Sequence, residues 1–342
     1  MKSSENKKCK QCGGNLVFDP TSQNLICEKC LLGYDFDKTK EYKKHEYDEE
    51  LDQESEVQNF KCPTCGALFE QQKLNLTSVC PYCASSLIVD QEQIVGLKPD
   101  FVVPFEFGKQ KAAENFKKGI KKKWFLPNNF KKTPPMDNIE GVYFPAFSFD
   151  EKTMSVYEGV LEKDETVSHG DRTTTITRTQ RISGKKNLQH TDVMIESTNK
   201  LSQAELVGIL PYNIENSFDF DNNFILGYSV EYYVDKLLDC KKRADSTIDS
   251  IIKSNILSGY HYDRVRYLNI STTRSDEKFA YGILPAYKFT YKYNKKNYIT
   301  FMNGQTGKVG SGLPKSKIKI ALFVMMILLI VAGLVYLFSL GE

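Results

Sequence analysis

Eight of the nine cysteines lie before residue 84 and form four CxxC pairs with a repeated spacing. Fourteen residues separate Cys9–Cys12 from Cys27–Cys30, and fourteen separate Cys62–Cys65 from Cys80–Cys83. The second set follows the first at an offset of 53 residues, which indicates an internal duplication. This pattern constrains the fold strongly, because each set must bring two CxxC turns together.

The two cysteine sets have the ligand spacing of zinc ribbons, in which four thiolates surround one ion. The sequence therefore predicts two structural Zn²⁺ sites, with these ligands: Cys9, Cys12, Cys27, Cys30, Cys62, Cys65, Cys80 and Cys83. Disulfides are the alternative, disfavoured because the first residues are polar and carry no secretory signal. Redox-active CxxC motifs would not explain two matched pairs. A cross-braced pairing of ligands between the two sets stays open.

Each ribbon is predicted to be a small β hairpin, with ribbon 1 over 1–36 and ribbon 2 over 60–92. An acidic linker spans 37–59 and contains seven acids and no base between Glu46 and Glu56. Such a charge run is typical of a solvated, self-repelling spacer. The alternative is a docking strip for a basic partner.

The C-terminal segment has 21 consecutive uncharged residues from Ile320 to Leu340. This length predicts a transmembrane helix over 318–340, and a buried core helix is the alternative. The flanking lysines favour a cytoplasmic N-terminal body. They are Lys308, Lys315, Lys317 and Lys319. We therefore expect a single-pass, tail-anchored protein of the cell membrane.

The middle region, 95–314, has many Phe, Tyr, Val and Ile residues punctuated by Gly, Pro and Asn, which predicts a mainly β domain with a few helices, of the α+β class. Predicted strands are Phe101–Phe107, Val142–Phe149, Thr173–Ile182, Gly282–Tyr293 and Asn297–Met302. A helix is predicted from Val234 to Ile256, with one apolar face. That face comprises Leu237, Cys240, Ala244, Ile248, Ile251 and Ile252. The ninth cysteine, Cys240, is accordingly expected in the core rather than as a reactive thiol.

A basic segment runs from Lys109 to Lys132, with nine lysines and one acid. Phe116, Ile120 and Trp124 recur every four residues, which predicts an amphipathic helix. It could dock on the β domain by its aromatic stripe with the lysines in water. A membrane surface and nucleic-acid phosphates are the two alternatives.

Catalytic signatures are absent from the sequence, and we expect no enzymatic activity. Asn303–Lys308 (NGQTGK) lacks the spacing of a phosphate-binding loop, and Asp219–Asn223 begins a calcium-loop pattern that its later residues do not complete. The histidines show no shared metal or triad spacing: His45, His169, His190 and His261.

Three further segments carry a family resemblance over nearly the full length. They are GVYFPAFSFD at Gly141–Asp150, LPYNIENSFDFDNNFILGYSVEYY at Leu210–Tyr233, and YGILPAYKFTYKYNKKNYITFMNGQTGKVGSGLP at Tyr281–Pro314. With the cysteines, they resemble bacterial double zinc-ribbon proteins with one C-terminal membrane helix. That group is often labelled as related to the primosomal replication-restart helicase because of the ribbon alone. The resemblance implies membrane-linked zinc modules that partner flotillin-like membrane scaffold proteins, and implies no helicase activity.

Together these features predict a non-enzymatic, membrane-anchored zinc-ribbon adaptor. It would recruit or scaffold protein partners at the cytoplasmic face of the lipid bilayer. The alternative function is a membrane-tethered nucleic-acid-binding protein of the replication type. Lys7, Lys8, Lys10 and the cluster from Lys117 to Lys123 would then contact phosphates.

Overall fold

A computed structural model describes residues 8–47, 99–132, 134, 138–169, 172–198, 203–231 and 235–340, and four short strands between residues 58 and 88. The chain is mostly β, with one large sheet and few helices. It divides into two compact units. Unit 1 contains Met1–Ser148, Met194–Lys241 and Phe279–Lys315, and unit 2 contains Phe149–Val193, Lys242–Lys278 and Ser316–Glu342.

The N-terminal part of unit 1 is a small antiparallel sheet in the order β1-β2-β3. Its strands are β1 (Leu16–Asp19), β2 (Asn24–Cys27) and β3 (Gly33–Tyr34). The Asp19 carboxylate accepts hydrogen bonds from the backbone N–H and hydroxyl of Ser22, at 2.9 and 2.7 Å, and so closes the turn between β1 and β2. A hairpin in this part of the chain is what the sequence predicts for ribbon 1.

Two further hairpins follow. They consist of β5 (Gln58–Lys61) paired with β6 (Leu68–Gln71), and β7 (Thr77–Val79) paired with β8 (Ser86–Ile88), both antiparallel. The predicted ligands Cys62, Cys65, Cys80 and Cys83 lie outside the described residues, as do residues 48–57 of the acidic linker.

The large sheet has eight strands and contributes to both units. The order is β11-β10-β14-β9-β12, with β13 beside β10, and β4 and β15 beside β14. The strands are β4 (His45–Glu46), β9 (Phe101–Val102), β10 (Asn138–His169), β11 (Arg172–Glu196), β12 (Phe218–Asp219), β13 (Ser229–Val230), β14 (Arg264–Tyr293) and β15 (Lys296–Asn303). Predicted strands at 142–149, 173–182, 282–293 and 297–302 fall within these elements, whereas 101–107 forms a strand for only two residues.

Five helices accompany the strands in the described part of the chain. They are α1 (Lys109–Lys121), α2 (Asn128–Lys132), α3 (Gln203–Ile209), α4 (Leu237–Leu257) and α5 (Lys317–Leu340).

Helix α1 docks on the sheet of unit 1 through its aromatic stripe. The Phe116 ring stacks on Phe289 with centroids 4.2 Å apart, and Ile120 is fully buried. The lysines of α1 point to water, which agrees with the docked-helix interpretation. Trp124 was expected in the same stripe and is instead 59% exposed, because α1 ends at Lys121 and the helical spacing stops there.

The two loops that resemble ligand-binding motifs have structural roles. The Asn303 carboxamide oxygen accepts hydrogen bonds from the backbone of Gln305 and Thr306, and its nitrogen donates to the Ile209 carbonyl at 2.9 Å. Asp221 accepts a hydrogen bond from the Asn223 N–H at 2.7 Å and begins a short 3₁₀ turn. Both side chains therefore satisfy backbone donors of their own turns.

Helix α4 contributes Ile248, Ile252 and Ile256 to the core of unit 2, and its Cys240 is fully buried in unit 1. The sequence pattern placed Ile251 on the same face, but this side chain is 44% exposed. Ile251 lies between the residues that face the core, so the predicted stripe is one residue too wide.

Helix α5 contains the uncharged stretch for which the sequence predicts a membrane span. No helix within the described residues is long and apolar enough to span a membrane. This finding contradicts the predicted transmembrane helix over 318–340 and, with it, the single-pass location in the cell membrane.

The core of unit 1 contains tyrosines whose burial favours the neutral phenol. Burial raises the pKa of Tyr291 to about 12. It also raises the pKa values of Tyr143 and Tyr212 well above the ordinary value for tyrosine. The native protein therefore holds protons that the unfolded chain releases near pH 10.

We expect the free energy of unfolding to fall as the pH rises above about 10, since the unfolded chain then binds fewer protons than the native one. Urea unfolding between about pH 8 and 11 measures this slope. Tyr291→Phe should flatten the slope, and Tyr267→Phe, at an exposed position, should leave it unchanged. A slope that is the same in both variants would contradict the prediction.

Candidate metal centre

The first cysteine set forms a compact group at one end of the small sheet in unit 1. Cys9 and Cys12 precede β1, Cys27 is the last residue of β2, and Cys30 follows in the next turn. Cys9 and Cys27 are buried, whereas Cys30 is exposed. Pairing of Leu16 with Cys27 brings the two CxxC turns to the same end of the hairpin.

The four sulfur atoms lie at distances that suit one tetrahedral ion. All four are within 4.8 Å of one another, and the Cys9–Cys30 and Cys12–Cys27 sulfurs are 3.5 and 3.4 Å apart. A disulfide requires about 2.05 Å, so these contacts are not disulfides. A tetrahedron with metal–sulfur bonds of about 2.3 Å has edges of about 3.8 Å. These four cysteines can therefore hold a metal ion.

The two CxxC turns have the same backbone geometry. The N–H of Gly13 donates to the Cys9 carbonyl at 2.9 Å, and the N–H of Leu31 donates to the Cys27 carbonyl at 2.9 Å. Both donors have positive φ angles, 70° at Gly13 and 59° at Leu31. Positive φ is unusual for leucine, so the turn imposes this conformation on Leu31.

Gly14 lies against the sulfur atoms and has no room for a side chain. A Cβ atom there would meet the Cys27 sulfur at 2.8 Å and the Cys12 sulfur at 3.4 Å. The absence of a side chain at Gly14 therefore leaves room for the Cys27 sulfur in the cluster.

Tyr34, in β3, supports the cluster from outside the ligand set. Its hydroxyl lies 3.1 Å from the Cys9 sulfur and accepts a hydrogen bond from the Lys10 N–H at 3.1 Å. The hydroxyl lowers the pKa of the Cys9 thiol to about 6, which favours a thiolate. The CxxC spacing contains no signal for this residue, because β3 approaches the cluster only after the hairpin has formed.

The ionisation of the cysteines also fits a bound cation. The N–H of Cys30 lowers the pKa of the Cys27 thiol. For Cys30, the Leu32 N–H acts to lower the pKa, but the Cys12 sulfur and burial outweigh it and raise the value to about 12. Four crowded sulfurs cannot all ionise unless a cation lies between them. A sulfur-preferring divalent ion such as zinc meets this requirement.

A second group of acidic side chains lies in unit 2, where Glu151, Asp245 and Glu277 place carboxylate oxygens within 4.8 Å of one another. Arg274 forms ion pairs with two members of this group. Its Nε atom lies 3.2 Å from Glu151 and 3.3 Å from Asp245. We therefore interpret it as an ion-pair cluster that joins α4 to the sheet.

Two histidines occupy structural positions within their units. His45 Nε2 lies 2.7 Å from the Asp100 carboxylate, and His190 Nε2 lies 3.1 Å from the Thr153 hydroxyl. The His169 side chain lies outside the described residues.

No family model and no solved structure matches the chain. Among curated proteins, the chain is similar to one of Bacillus subtilis (strain 168) named "Uncharacterized protein YdjG". The two are 28% identical over 319 residues, which cover 92% of this chain and 91% of that protein. The similarity therefore extends over nearly the whole length of both chains.

Gly14→Ala should weaken metal binding about tenfold or more, because the new Cβ atom displaces the Cys27 sulfur. Gly33→Ala is the matched control, since its Cβ atom would meet only the Leu25 carbonyl, at 4.0 Å. Competition with a chelating dye, in a chain that also carries Cys62→Ser and Cys65→Ser, measures the affinity of the first site. Equal affinities for the two glycine variants would contradict this role of Gly14.

Proposed function

We propose that the chain is a non-enzymatic zinc-ribbon protein that binds protein partners through the exposed end of its first ribbon. The metal in this proposal is Zn²⁺. The duplicated spacing of Cys62, Cys65, Cys80 and Cys83 supports a second, equivalent site. No membrane segment forms part of this proposal.

The closed ligand set supports a structural metal. Four thiolates fill the tetrahedral positions of zinc and leave none for water or substrate. A unit of this size buries too little apolar surface to fold alone, and metal binding supplies the missing stability. We therefore assign the metal a folding role that also fixes the surface around it.

The observation that carries the proposal is an exposed pair of leucines beside the last ligand. Leu31 is 73% exposed and Leu32 is 41% exposed, directly after Cys30. The other exposed residues of the two CxxC turns are polar: Lys10, Gln11, Glu28 and Lys29. An apolar centre within a polar rim is typical of a protein-binding surface. We call Leu31 and Leu32 the ribbon knob.

The metal turn holds the ribbon knob in one conformation. The Leu31 N–H donates to the Cys27 carbonyl, and the Leu32 carbonyl accepts from the Cys27 N–H at 3.0 Å. Binding to a surface that is already ordered costs less conformational entropy. Loss of the metal should therefore abolish the knob as a docking surface.

The ribbon itself rests on the core of unit 1. The Phe18 and Phe36 rings contact Phe224, with centroid distances of 5.3 and 5.0 Å. The Phe18 N–H also donates to the Leu226 carbonyl at 3.0 Å. The knob is accordingly presented by a fixed body, as binding surfaces generally require.

Leu31→Asn with Leu32→Ser should remove partner binding and keep the zinc, because asparagine tolerates the positive φ at residue 31. A crosslinked pull-down with the tagged full-length chain, with quantification of recovered proteins, measures the effect. We expect partner recovery to fall about tenfold or more, and chelation of the zinc to have the same effect.

The matched control is a double variant, Val207→Ser and Ile251→Ser, which replaces two exposed apolar residues outside the ribbon. It should recover the partners of the unmodified chain. Undiminished recovery by the knob variant, or an equal loss in both variants, would contradict the proposed function.

A further inference from the structure

Helix α1 and the turn after it form a basic surface with two exposed aromatic rings. Its exposed members are Lys109, Lys111, Lys117, Lys118, Lys121, Lys122, Trp124 and Phe125. The only acid of this segment, Glu114, pairs with Lys111 at 3.1 Å. We call this set the Lys–Trp surface.

The lysines lie together because the opposite face of α1 is buried. Ala112, Phe116 and Ile120 recur every four residues and face the core of unit 1. Residues that lie between these positions must point to solvent. Lys117, Lys118, Lys121 and Lys122 thus lie within two turns of the helix, although their like charges repel one another.

The turn after α1 is fixed by contacts to its neighbours. The Lys123 ammonium donates to the carbonyls of Val309 and Gly310, both at 2.9 Å, and the Lys123 N–H donates to the Ile120 carbonyl at 3.2 Å. Leu126 is buried on the far side of the turn. Trp124 and Phe125, which lie between Lys123 and Leu126, are therefore fixed on the solvent side of the turn.

Those two residues are large and aromatic. Trp124 is 59% exposed and Phe125 is 38% exposed, and their rings are nearly parallel, with an interplanar angle of 13° and centroids 6.2 Å apart. Trp124 is also the one tryptophan of the chain. Burial in the core does not explain these rings, whereas Ile120 before them and Leu126 after them in the sequence are buried.

We propose that the Lys–Trp surface binds single-stranded nucleic acid. The lysines would neutralise backbone phosphates, and the exposed rings of Trp124 and Phe125 would stack on bases. A single strand is favoured over a duplex because only unpaired bases offer their faces to a protein ring. Single-stranded nucleic acid is favoured over an acidic peptide because it offers both partners that this surface needs. Its bases can stack on the aromatic rings, and its phosphates can pair with the neighbouring lysines.

The single tryptophan provides a direct measurement of this binding. The zinc-loaded full-length chain is titrated with an oligothymidylate of about 20 nucleotides at about 50 mM salt, and Trp124 fluorescence is followed. Stacking on a base should quench the emission in a saturable manner. A duplex of equal length should bind more weakly and quench less.

Variants separate stacking from charge, with a labelled oligonucleotide and anisotropy as the readout. Trp124→Ala should weaken binding about tenfold, and Trp124→Phe should retain binding to within about threefold. Replacement of Lys117, Lys118, Lys121 and Lys122 by glutamine should reduce the slope of log affinity against log salt by about 3. The matched control removes the same charge elsewhere, in Lys163→Gln, Lys185→Gln, Lys253→Gln and Lys278→Gln, and should keep the slope.

Several results would overturn this inference. They are the absence of quenching at low salt, an equal loss of affinity in the two lysine variants, or duplex binding as tight as that of the single strand. Poly-glutamate that competes as well as the oligonucleotide would indicate an acidic protein partner instead. Anionic vesicles that shift the Trp124 emission, with no oligonucleotide binding, would indicate a lipid surface.

Discussion

The arrangement of the N-terminal region depends on four sulfur atoms held within 4.8 Å of one another. Four crowded thiolates repel one another, so all four cysteines can ionise only with a cation between them. The backbone is built around that requirement: Gly14 leaves space for Cys27, and the Tyr34 hydroxyl lies against Cys9. A bound metal would thus convert a short hairpin with little core into an ordered ribbon.

The ribbon packs on the rest of unit 1 through aromatic side chains. Phe18 and Phe36 meet Phe224, and the Gln23 side chain donates to the Phe105 carbonyl at 2.7 Å. The ribbon knob and the Lys–Trp surface both belong to unit 1. Neither resembles a catalytic site, and each instead offers a fixed surface of distinct chemistry. The proposed function is therefore one of binding.

Short-range sequence patterns predicted the features of this structure that depend on neighbouring residues, but not those that depend on contacts between distant residues. The CxxC spacing located the first ligand set, because two short turns and a hairpin decide its geometry. Tyr34 gave no signal, since it reaches Cys9 only through strand pairing. Aromatic and β-branched residues located the long strands, but β10 and β14 extend for 32 and 30 residues, beyond the predicted segments. Trp124 has the sequence spacing of the apolar face of α1, but it lies past the end of that helix. Hydropathy predicted a membrane span that the described residues do not contain.

Zinc content tests the metal centre most directly. The measurement is zinc per chain, by elemental analysis, in a full-length variant with serine at positions 62, 65, 80 and 83, and in the same variant with Cys9→Ser and Cys27→Ser added. We predict about one zinc per chain in the former and none in the latter, with loss of thermal stability when the zinc is lost. A chain that contains the first cysteine set alone and binds no zinc would contradict the proposed centre.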